Sequence, residues 1–349
     1  MAVADLVAAQ QKAGIHADWL TADVYPASQR DRHLRESVRS MQPSLGHLHG
    51  LWRSPTRIAT KLAKSGLPLV IAPHGMLNPM ALAHSRWKKR CVWHLWEKCA
   101  LSSARCLHAL CPAEATAIKR LFPGIPIAVI PNGVALPVQA SEEKADPAQA
   151  RLPWQALIPD DEKILLFLGR FHRGKGITPL LHAWEAVSRE AERQGWWLAL
   201  VGYGDSGALE RQLQTTPVHR CLAFGPAFGR SKQAVLASAK AFILPSQFEA
   251  LPMAALEAMA HGLPCLLSSS CNLPEAFEQA AALRAEPNPE SLAMAIQQLF
   301  DLSEPARAAM GESGRALVTK HYSWPQVAAQ THDLYTWILG GGEQPTWVS

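Results

Sequence analysis

The cationic side chains Arg170 and Lys175 lie in the stretch GRFHRGKG (169–176), directly after the apolar run ILLFL (164–168). The stretch nearly matches the phosphate-binding loop G-x-x-x-x-G-K-[ST], but Gly176 stands where a hydroxyl residue would hold Mg²⁺. A Walker-type nucleoside triphosphatase is therefore not indicated. Two cations at the end of a strand can hold a diphosphate and stabilise the charge of a departing one. The alternative is that both are surface charges of a strand-to-helix loop.

Two carboxylates, Glu249 and Glu257, lie in the stretch SQFEALPMAALEAMAHGLP (246–264). The preceding run AFILPS predicts a strand, Pro252 suits the first turn of a helix, and the alanine-rich run predicts a helix that ends at Gly262. With helical spacing throughout, the two glutamates would be about 12 Å apart, roughly the span from a ribose to a sugar across a diphosphate. Free N–H groups at the helix start would take the phosphates. The alternative for Glu257 is a partly buried helix residue with a salt-bridge partner.

A third pattern, GYGDSG (202–207), has the G-x-G-x-x-G form of a dinucleotide-binding turn. An NAD-binding fold also needs an acidic residue about twenty positions further on, at the end of the next strand. The next strand candidate, CLAFGP (221–226), has no acid there. The glycine pattern alone therefore does not indicate NAD.

Short apolar runs alternate with longer amphipathic segments along the chain. The strand candidates are ADWLTA, LGHLHGL, PLVIAP, CLHALC and IAVIP in the first half, and KILLFLG, WWLALVG, CLAFGP, AFILPS, PCLLSS and AALRAE in the second. Continuous apolar strands between helices predict parallel sheets covered on both faces, the α/β class. Because residues 131–163 break this rhythm, we expect two domains, 1–137 and 163–322, joined by a linker, 138–162. The cleft between such domains is the expected ligand site.

The charge is unevenly distributed. Residues 1–137 contain 17 Lys and Arg against 7 Asp and Glu, whereas residues 138–349 contain 17 against 22. The densest basic segment, HSRWKKRCVWHLWEKCALSSARC (84–106), interleaves Trp with Lys and Arg, which suits an anionic membrane surface. The alternative is a solvated basic helix whose Trp side chains face the core. No nucleic-acid recognition module is present, so nucleic acid is not an expected partner.

The sequence contains few features that indicate where in the cell the protein is located. No apolar run is long enough to span a membrane, and the start of the chain has no signal-peptide pattern. The seven cysteines include no C-x-x-C pair, which is typical of reduced thiols. We expect a cytoplasmic protein that is peripheral at the inner face of the membrane.

Taken together, the stretches LFLGRFHRGKG, LVGYGDSGALERQL and FILPSQFEALPMAALEAMAHGLP resemble the motifs of retaining glycosyltransferases of family 4. That family carries a G-R…K-G element and an E-x7-E element at about this separation. The stretches HLHGLW (47–52), APHGMLNP (72–79), IAVIPNGV (127–134) and CNLPEAF (271–277) are also similar to it. The resemblance implies the GT-B fold, in which two Rossmann-like domains with parallel sheets face a central cleft.

The resemblance implies a role for each matching residue in binding a nucleotide-diphosphate sugar. Arg170 and Lys175 would bind the diphosphate and neutralise the leaving group. Glu249 would hydrogen-bond the hydroxyls of the donor sugar, and Glu257 would bind the ribose hydroxyls.

Further roles follow from the same resemblance. The backbone of Ala250 and Leu251 would contact sugar and phosphate. His74, at the end of a first-domain strand, would face the donor sugar. Apart from the resemblance, we interpret Gly202 and Gly204 of the GYGDSG pattern as letting the backbone turn tightly beside a sugar nucleotide.

The implied reaction transfers a sugar with retention of anomeric configuration to a lipid-linked or polysaccharide acceptor, in cell-surface polysaccharide synthesis. No acidic D-x-D pair is present where a metal would be needed, so we expect neither a metal nor a cofactor beside the nucleotide-sugar co-substrate. His49 is interpreted as a structural strand-end histidine. Two alternatives stay open: an epimerase-like or NAD enzyme on a similar frame, and a degenerate, non-catalytic GT-B protein.

Both ends of the chain bear on the comparison with the family. Members usually begin with a strand and a glycine-rich loop, whereas this sequence begins with a helix-like run, so we expect that strand and loop to be absent from it. The segment HYSWPQVAAQTHDLYTWIL (321–339) is similar to the family's last helix. We therefore expect residues 323–349 to form a helix and tail that return to the first domain.

Overall fold

The computed structural model describes residues 2–78, 82, 86–137, 152–204, 209, 211, 213 and 217–349. The chain divides into two compact units, Met1–Gly133 with Trp324–Ser349, and Val134–Ser323. Part of the predicted linker, residues 138–151, lies outside the described residues.

The first unit is built on a four-stranded parallel sheet in the order β1-β2-β3-β4. The strands are β1 (Gly46–His49), β2 (Leu69–Ala72), β3 (Cys106–Ala109) and β4 (Ile127–Val129). The helices are α1 (Ala2–Lys12), α2 (Arg30–Met41), α3 (Ser54–Lys64), α4 (Arg86–Val92), α5 (Lys98–Ser102), α6 (Pro112–Leu121) and α13 (Trp324–Ile338), and a π-helical stretch, Trp93–Glu97, joins α4 to α5.

Alternating residues of this sheet face two separate apolar layers. Leu69 and Ile71 pack in one cluster with Ile58 of α3, and the layer also includes Ile118 of α6. Val70 packs on the opposite face, in the layer that contains α1 and α13. Burial on both faces explains why the strands read as continuous apolar runs.

One predicted strand is wrong. The run ADWLTA (17–22) forms no strand, and its last residue begins a 3-10 turn, Ala22–Val24. Trp19 and Leu20 are exposed, whereas the strands of a parallel sheet are buried. Apolar composition alone misled the prediction here.

The second unit contains a six-stranded parallel sheet in the order β10-β9-β8-β5-β6-β7. The strands are β5 (Lys163–Phe171), β6 (Trp196–Gly204), β7 (Cys221–Phe224), β8 (Ala241–Leu244), β9 (Cys265–Leu267) and β10 (Ala282–Arg284). The helices are α7 (Ile177–Arg193), α8 (Gly229–Ser238), α9 (Met253–Ala260), α10 (Pro274–Glu278), α11 (Pro289–Asp301) and α12 (Glu304–His321).

The direction of strand addition reverses beside β5. The chain adds β6 and β7 on one side of β5 and then crosses to β8 on the other. In open parallel sheets, ligands bind at such a switch point, beyond the carboxyl ends of the strands. The α/β class with two parallel sheets is therefore confirmed, and the loops after β5 and β8 are where a site is expected.

Candidate active site

The loop after β5 carries Lys175 on a short 3-10 turn. His172 caps this turn, since its Nδ1 accepts the Gly174 N–H at 3.1 Å. Gly176 ends it in the left-handed region, with φ at +70°, and begins α7. A Cβ at this position would also collide with the carbonyl oxygen of Pro245. The glycine that breaks the Walker pattern is thus required by the backbone.

The loop after β8 brings Glu249 to Lys175. The Gln247 N–H donates to the Gly174 carbonyl at 2.8 Å, which ties the two loops together. The Lys175 ammonium donates to Glu249 Oε1, and the Ser246 hydroxyl donates to the same oxygen at 2.6 Å. Both charged side chains are largely buried. A cation and a carboxylate are therefore held side by side at the switch point.

A turn after β9 braces this loop from behind. The Glu249 N–H donates to the Ser270 carbonyl at 3.0 Å, and the Asn272 amide donates to the Glu249 carbonyl at 2.5 Å. Ala250 and Leu251 follow directly, and the Leu251 side chain is buried. The backbone around Glu249 is thus fixed by hydrogen bonds on both of its polar groups.

Glu257 lies on α9, which begins at Met253 after the capping residue Pro252. It is the fifth residue of the helix, so it stands little more than one turn from the helix start. Lys232 of α8 donates to Glu257 Oε1 at 2.7 Å. Glu257 therefore has the salt-bridge partner that the alternative interpretation of the sequence required. Lys232 holds the Glu257 carboxylate beside α8.

Arg170 is exposed near the end of β5, where it pairs in register with Tyr203 of β6. Gly202 and Gly204 both lie within β6, so the interpretation that they form a tight turn is wrong. A Cβ at Gly202 would collide with the carbonyl oxygen of Gly169 on β5, which gives a packing reason for this glycine. Residues 205–207 of the same motif lie outside the described residues.

In the first unit, His74 follows β2 in a left-handed conformation with φ at +54°, which is uncommon for a residue other than glycine. Its Nε2 lies 2.9 Å from His49 Nδ1, so a hydrogen bond joins the two rings. Glu114 accepts the Gly75 N–H at 2.5 Å with one oxygen and the Leu110 N–H at 2.8 Å with the other. His49 and Glu114 together hold the loop that carries His74.

Two more histidines extend this cluster. His108 Nε2 lies 2.6 Å from the Ile130 carbonyl, so it must donate, and its Nδ1 then accepts from His47 Nε2 at 3.1 Å. His47 Nδ1 in turn accepts the Tyr335 hydroxyl proton at 2.7 Å. This directed chain ties helix α13 to strands β1 and β3.

Burial keeps the four histidines neutral. Desolvation, followed by the charge of His108, lowers the pKa of His74 to about 4. Desolvation also lowers the pKa of His108 to about 4, although its bond to Ile130 opposes the shift. The pKa values of His47 and His49 are lowered well below the usual value by burial and by the neighbouring rings. Near neutral pH, His74 therefore acts as an uncharged hydrogen-bonding group.

Within the basic segment 84–106, residues 86–102 form the helical stretch from α4 to α5, and Cys106 begins β3; His84 and Ser85 lie outside the described residues. Trp93 packs against the first-unit core, and Trp96 is half-buried under the Arg57 guanidinium. Trp87 is 69% exposed and Leu95 is 72% exposed. The core-facing alternative thus holds for Trp93, whereas Trp87 faces solvent among cations.

Sequence reasoning missed several polar partners of these groups. Ser246, Lys232 and Asn272 hold the two site glutamates and the loop, and Glu114 holds the loop of His74. One signal was available for Glu114, because it stands three residues after Cys111, which caps α6 through its Sγ. Within the described ranges, no group of three or more His, Cys, Asp or Glu side chains is placed to hold a metal ion.

Family models match most of the chain. Residues 148–317 match the family described as glycosyl transferases group 1, and residues 30–133 match the glycosyl transferase 4-like domain. Among the helices of the described part of the chain, none combines the length and apolarity needed to cross a membrane.

Two curated relatives share parts of the sequence. An uncharacterized glycosyltransferase of Methanocaldococcus jannaschii is 31% identical over 182 residues, which are 51% of this chain and 46% of the relative. The MMP alpha-(1->4)-mannosyltransferase of Mycolicibacterium hassiacum is 24% identical over 288 residues, 79% of this chain and 66% of the relative. The chain thus spans between about half and two thirds of the length of these relatives.

Solved structures share the fold at low identity. WaaG, a glycosyltransferase involved in lipopolysaccharide biosynthesis, superposes with a TM-score of 0.69 at 15% identity, over 97% of this chain and 95% of WaaG. Anabaena Alr3699/HepE in complex with UDP-glucose gives a TM-score of 0.68 at 14% identity, over 92% of this chain and 85% of that protein. At these identities the likeness shows the fold.

Proposed function

Because the chain belongs to the glycosyl transferases of group 1, we propose that it moves a sugar from a nucleotide-diphosphate sugar to a lipid-linked or polysaccharide acceptor. The observation that carries this proposal is the Lys175–Glu249 pair, held between the loops that follow β5 and β8 at the switch point of the second sheet. A cation for phosphate and a carboxylate for sugar hydroxyls stand next to each other there.

The donor diphosphate is bound by Arg170 and Lys175. When the donor enters, the Lys175 ammonium exchanges its bond to Glu249 for one to a phosphate oxygen. Glu249, still held by Ser246, then accepts hydrogen bonds from the hydroxyls of the sugar. Glu257 accepts hydrogen bonds from the ribose hydroxyls, and the backbone of residues 250–251 contacts the sugar and the phosphate.

Transfer proceeds with retention of configuration. The bond between the anomeric carbon and the donor phosphate oxygen breaks, and its electron pair leaves with the diphosphate. The acceptor hydroxyl bonds to the same face of the sugar, and its proton leaves with the diphosphate. Arg170 and Lys175 offset the charge that develops on the leaving group, so no metal ion is required. Neutral His74 hydrogen-bonds the transferred sugar.

The acceptor is presented at an anionic membrane surface. Trp87 and Leu95 are exposed on the same helical stretch as the exposed cations Lys88, Arg90 and Lys98. Apolar side chains inserted among cations bind anionic interfaces. We expect the chain to sediment with vesicles that contain phosphatidylglycerol and not with pure phosphatidylcholine. The double change Trp87→Ala, Leu95→Ala should abolish sedimentation, whereas Leu121→Ala, which removes another exposed leucine of the first unit, should not.

The test of the reaction is donor consumption. Without a known acceptor, the enzyme is expected to release sugar slowly from one of UDP-, GDP- or ADP-glucose or -mannose. At a high enzyme concentration, proton NMR at early times, before the free sugar mutarotates, reads the anomer that is released first. EDTA should leave the rate unchanged. If the chain consumes none of these donors and binds NADH tightly, the proposal is wrong and the chain is a nicotinamide-dependent enzyme instead.

A further inference from the structure

Two of the four clustered histidines each keep one ring nitrogen that no protein group binds. His47 and His108 use both of their ring nitrogens in hydrogen bonds within the first unit. His49 and His74 use one nitrogen each, in the 2.9 Å bond between them. Their other nitrogens, His49 Nε2 and His74 Nδ1, are not among the buried unpaired polar atoms of the described residues, so they face solvent.

The bond between His49 and His74 links the protonation of these two free nitrogens. Burial lowers the pKa of both rings, so near neutral pH each ring carries one proton and one ring donates to the other. If His74 Nε2 donates, His74 Nδ1 is an acceptor and His49 carries its proton on Nε2. If His49 Nδ1 donates, the roles of the two free nitrogens are exchanged. The first arrangement gives both rings the Nε2–H form, which is the more stable tautomer of a neutral imidazole side chain.

The backbone and a stacked ring fix the His49 side chain beside His74. His49 ends β1 in register with Ala72, the last residue of β2, and the Gly50 N–H donates to the Ala72 carbonyl at 2.9 Å. The His49 ring stacks on His47, with centroids 4.1 Å apart. His74 has left-handed backbone angles, which a residue with a side chain keeps only when its surroundings hold it. The His49 ring is therefore a rigid support for the His74 ring.

We propose that His49 is a positioning residue of the transfer reaction: it accepts the His74 Nε2–H at its Nδ1, and this leaves His74 Nδ1 to accept a hydrogen bond from a hydroxyl of the transferred sugar. This inference rests on the proposed function and adds to it the direction of one hydrogen bond, from the sugar to the protein. His49 then does more than the structural strand-end histidine that the sequence suggested, because it selects the tautomer of the residue that contacts the sugar.

Nitrogen-15 NMR of the histidine side chains reads the tautomer without any substrate. At pH 7, His74 of the wild type should show an unprotonated Nδ1 and a protonated Nε2. His49→Leu removes the acceptor, so the two His74 signals should move towards the average of the two tautomers. His49→Asn should restore the wild-type signals, because its amide oxygen lies near the place of the His49 Nδ1. His33→Leu, which removes another first-unit histidine with a side-chain partner, should leave them unchanged.

Slow hydrolysis of the sugar donor tests whether this bond matters to the reaction. His49→Leu should lower kcat/KM for the donor by about 2- to 10-fold, the effect of one hydrogen bond, and leave the Kd of the free nucleoside diphosphate unchanged. His49→Asn should recover most of this loss. The double variant His49→Leu, His74→Leu should be no slower than His74→Leu alone, because His49 acts through His74.

Three results would overturn this inference and leave the proposed function standing. They are a protonated His74 Nδ1 in the wild type, unchanged kinetics in His49→Leu, and losses that add in the double variant. A wild type that consumes no sugar nucleotide would overturn the proposed function and with it the role of the His49–His74 pair.

Discussion

Lowering the pH from 7 to 5 is expected to destabilise the first unit through its buried histidines. His74 and His108 have pKa values of about 4 in the folded chain, against the ordinary value of 6.5. Between these values the unfolded chain binds more protons than the folded one, so stability falls as the pH falls. At pH 5 the loss is about 2 kcal/mol for each residue, or about 4 kcal/mol for the two.

Two carboxyl groups act in the opposite direction. Burial raises the pKa values of Glu97 and Glu114, so protonating them on acidification favours the folded state. The test therefore compares the wild type with the double variant His74→Gln, His108→Gln, in which both glutamates remain.

Hydrogen exchange of peptides from β2 and β3 measures the effect within the first unit. After correction for the intrinsic dependence of exchange on pH, the opening free energy of the wild type should fall by about 4 kcal/mol more than that of the variant between pH 7 and 5. Peptides from β5 provide the comparison in the second unit. Equal pH dependence in the wild type and the variant would refute the view that burial keeps these histidines neutral.

Three further changes test the loops that carry the site. Gly176→Ala should lower the free energy of unfolding of the second unit, measured in urea, by about 2 kcal/mol or more. The added methyl group strains the left-handed backbone and collides with the carbonyl oxygen of Pro245. Gly174→Ala is the control, because its added methyl group meets only the His172 ring. Glu114→Ala should destabilise the first unit by about 2 kcal/mol or more by leaving two buried N–H groups unpaired, and Glu114→Gln should restore part of the loss. Glu249→Gln should lower kcat/KM for the sugar donor by about 10- to 100-fold, with little change in the affinity for the free nucleoside diphosphate.

The sheets could be predicted from the sequence because both of their faces are covered. Runs such as LVIA and AFIL are buried at every position, and each lies where an apolar run was recognised. The run ADWLTA has a similar composition but exposes Trp19 and Leu20. Composition cannot distinguish the two cases, because burial depends on whether a neighbouring strand pairs with the run.

The grouping of Lys175 with Glu249 was within reach of sequence reasoning, because parallel strands bring their carboxyl ends to one edge. The partners of the other groups were not. Lys232 lies 25 residues before Glu257, and Tyr335 lies 288 residues after His47. Whether such residues meet depends on which helix packs against which strand, and no local sequence pattern predicts that packing.

The glycines show the limit of motif reading most clearly. Gly202 was interpreted as part of a tight turn at a nucleotide. It lies inside β6, where the close approach of β5 leaves no room for a side chain. A glycine pattern indicates that another group comes close to the backbone. Only the fold shows whether that group is a ligand or a neighbouring strand.

Binding of sugar nucleotides at the β5–β8 switch point is the central claim, and equilibrium titration with UDP-, GDP- and ADP-sugars tests it most directly. At least one of these donors should bind the wild type and raise its unfolding free energy by about 2.7 kcal/mol at a concentration 100 times its Kd. Lys175→Met should weaken that donor by tenfold or more, and Met294→Ala should not. Absence of binding by every sugar nucleotide, or equal affinity in the wild type and Lys175→Met, would contradict the account.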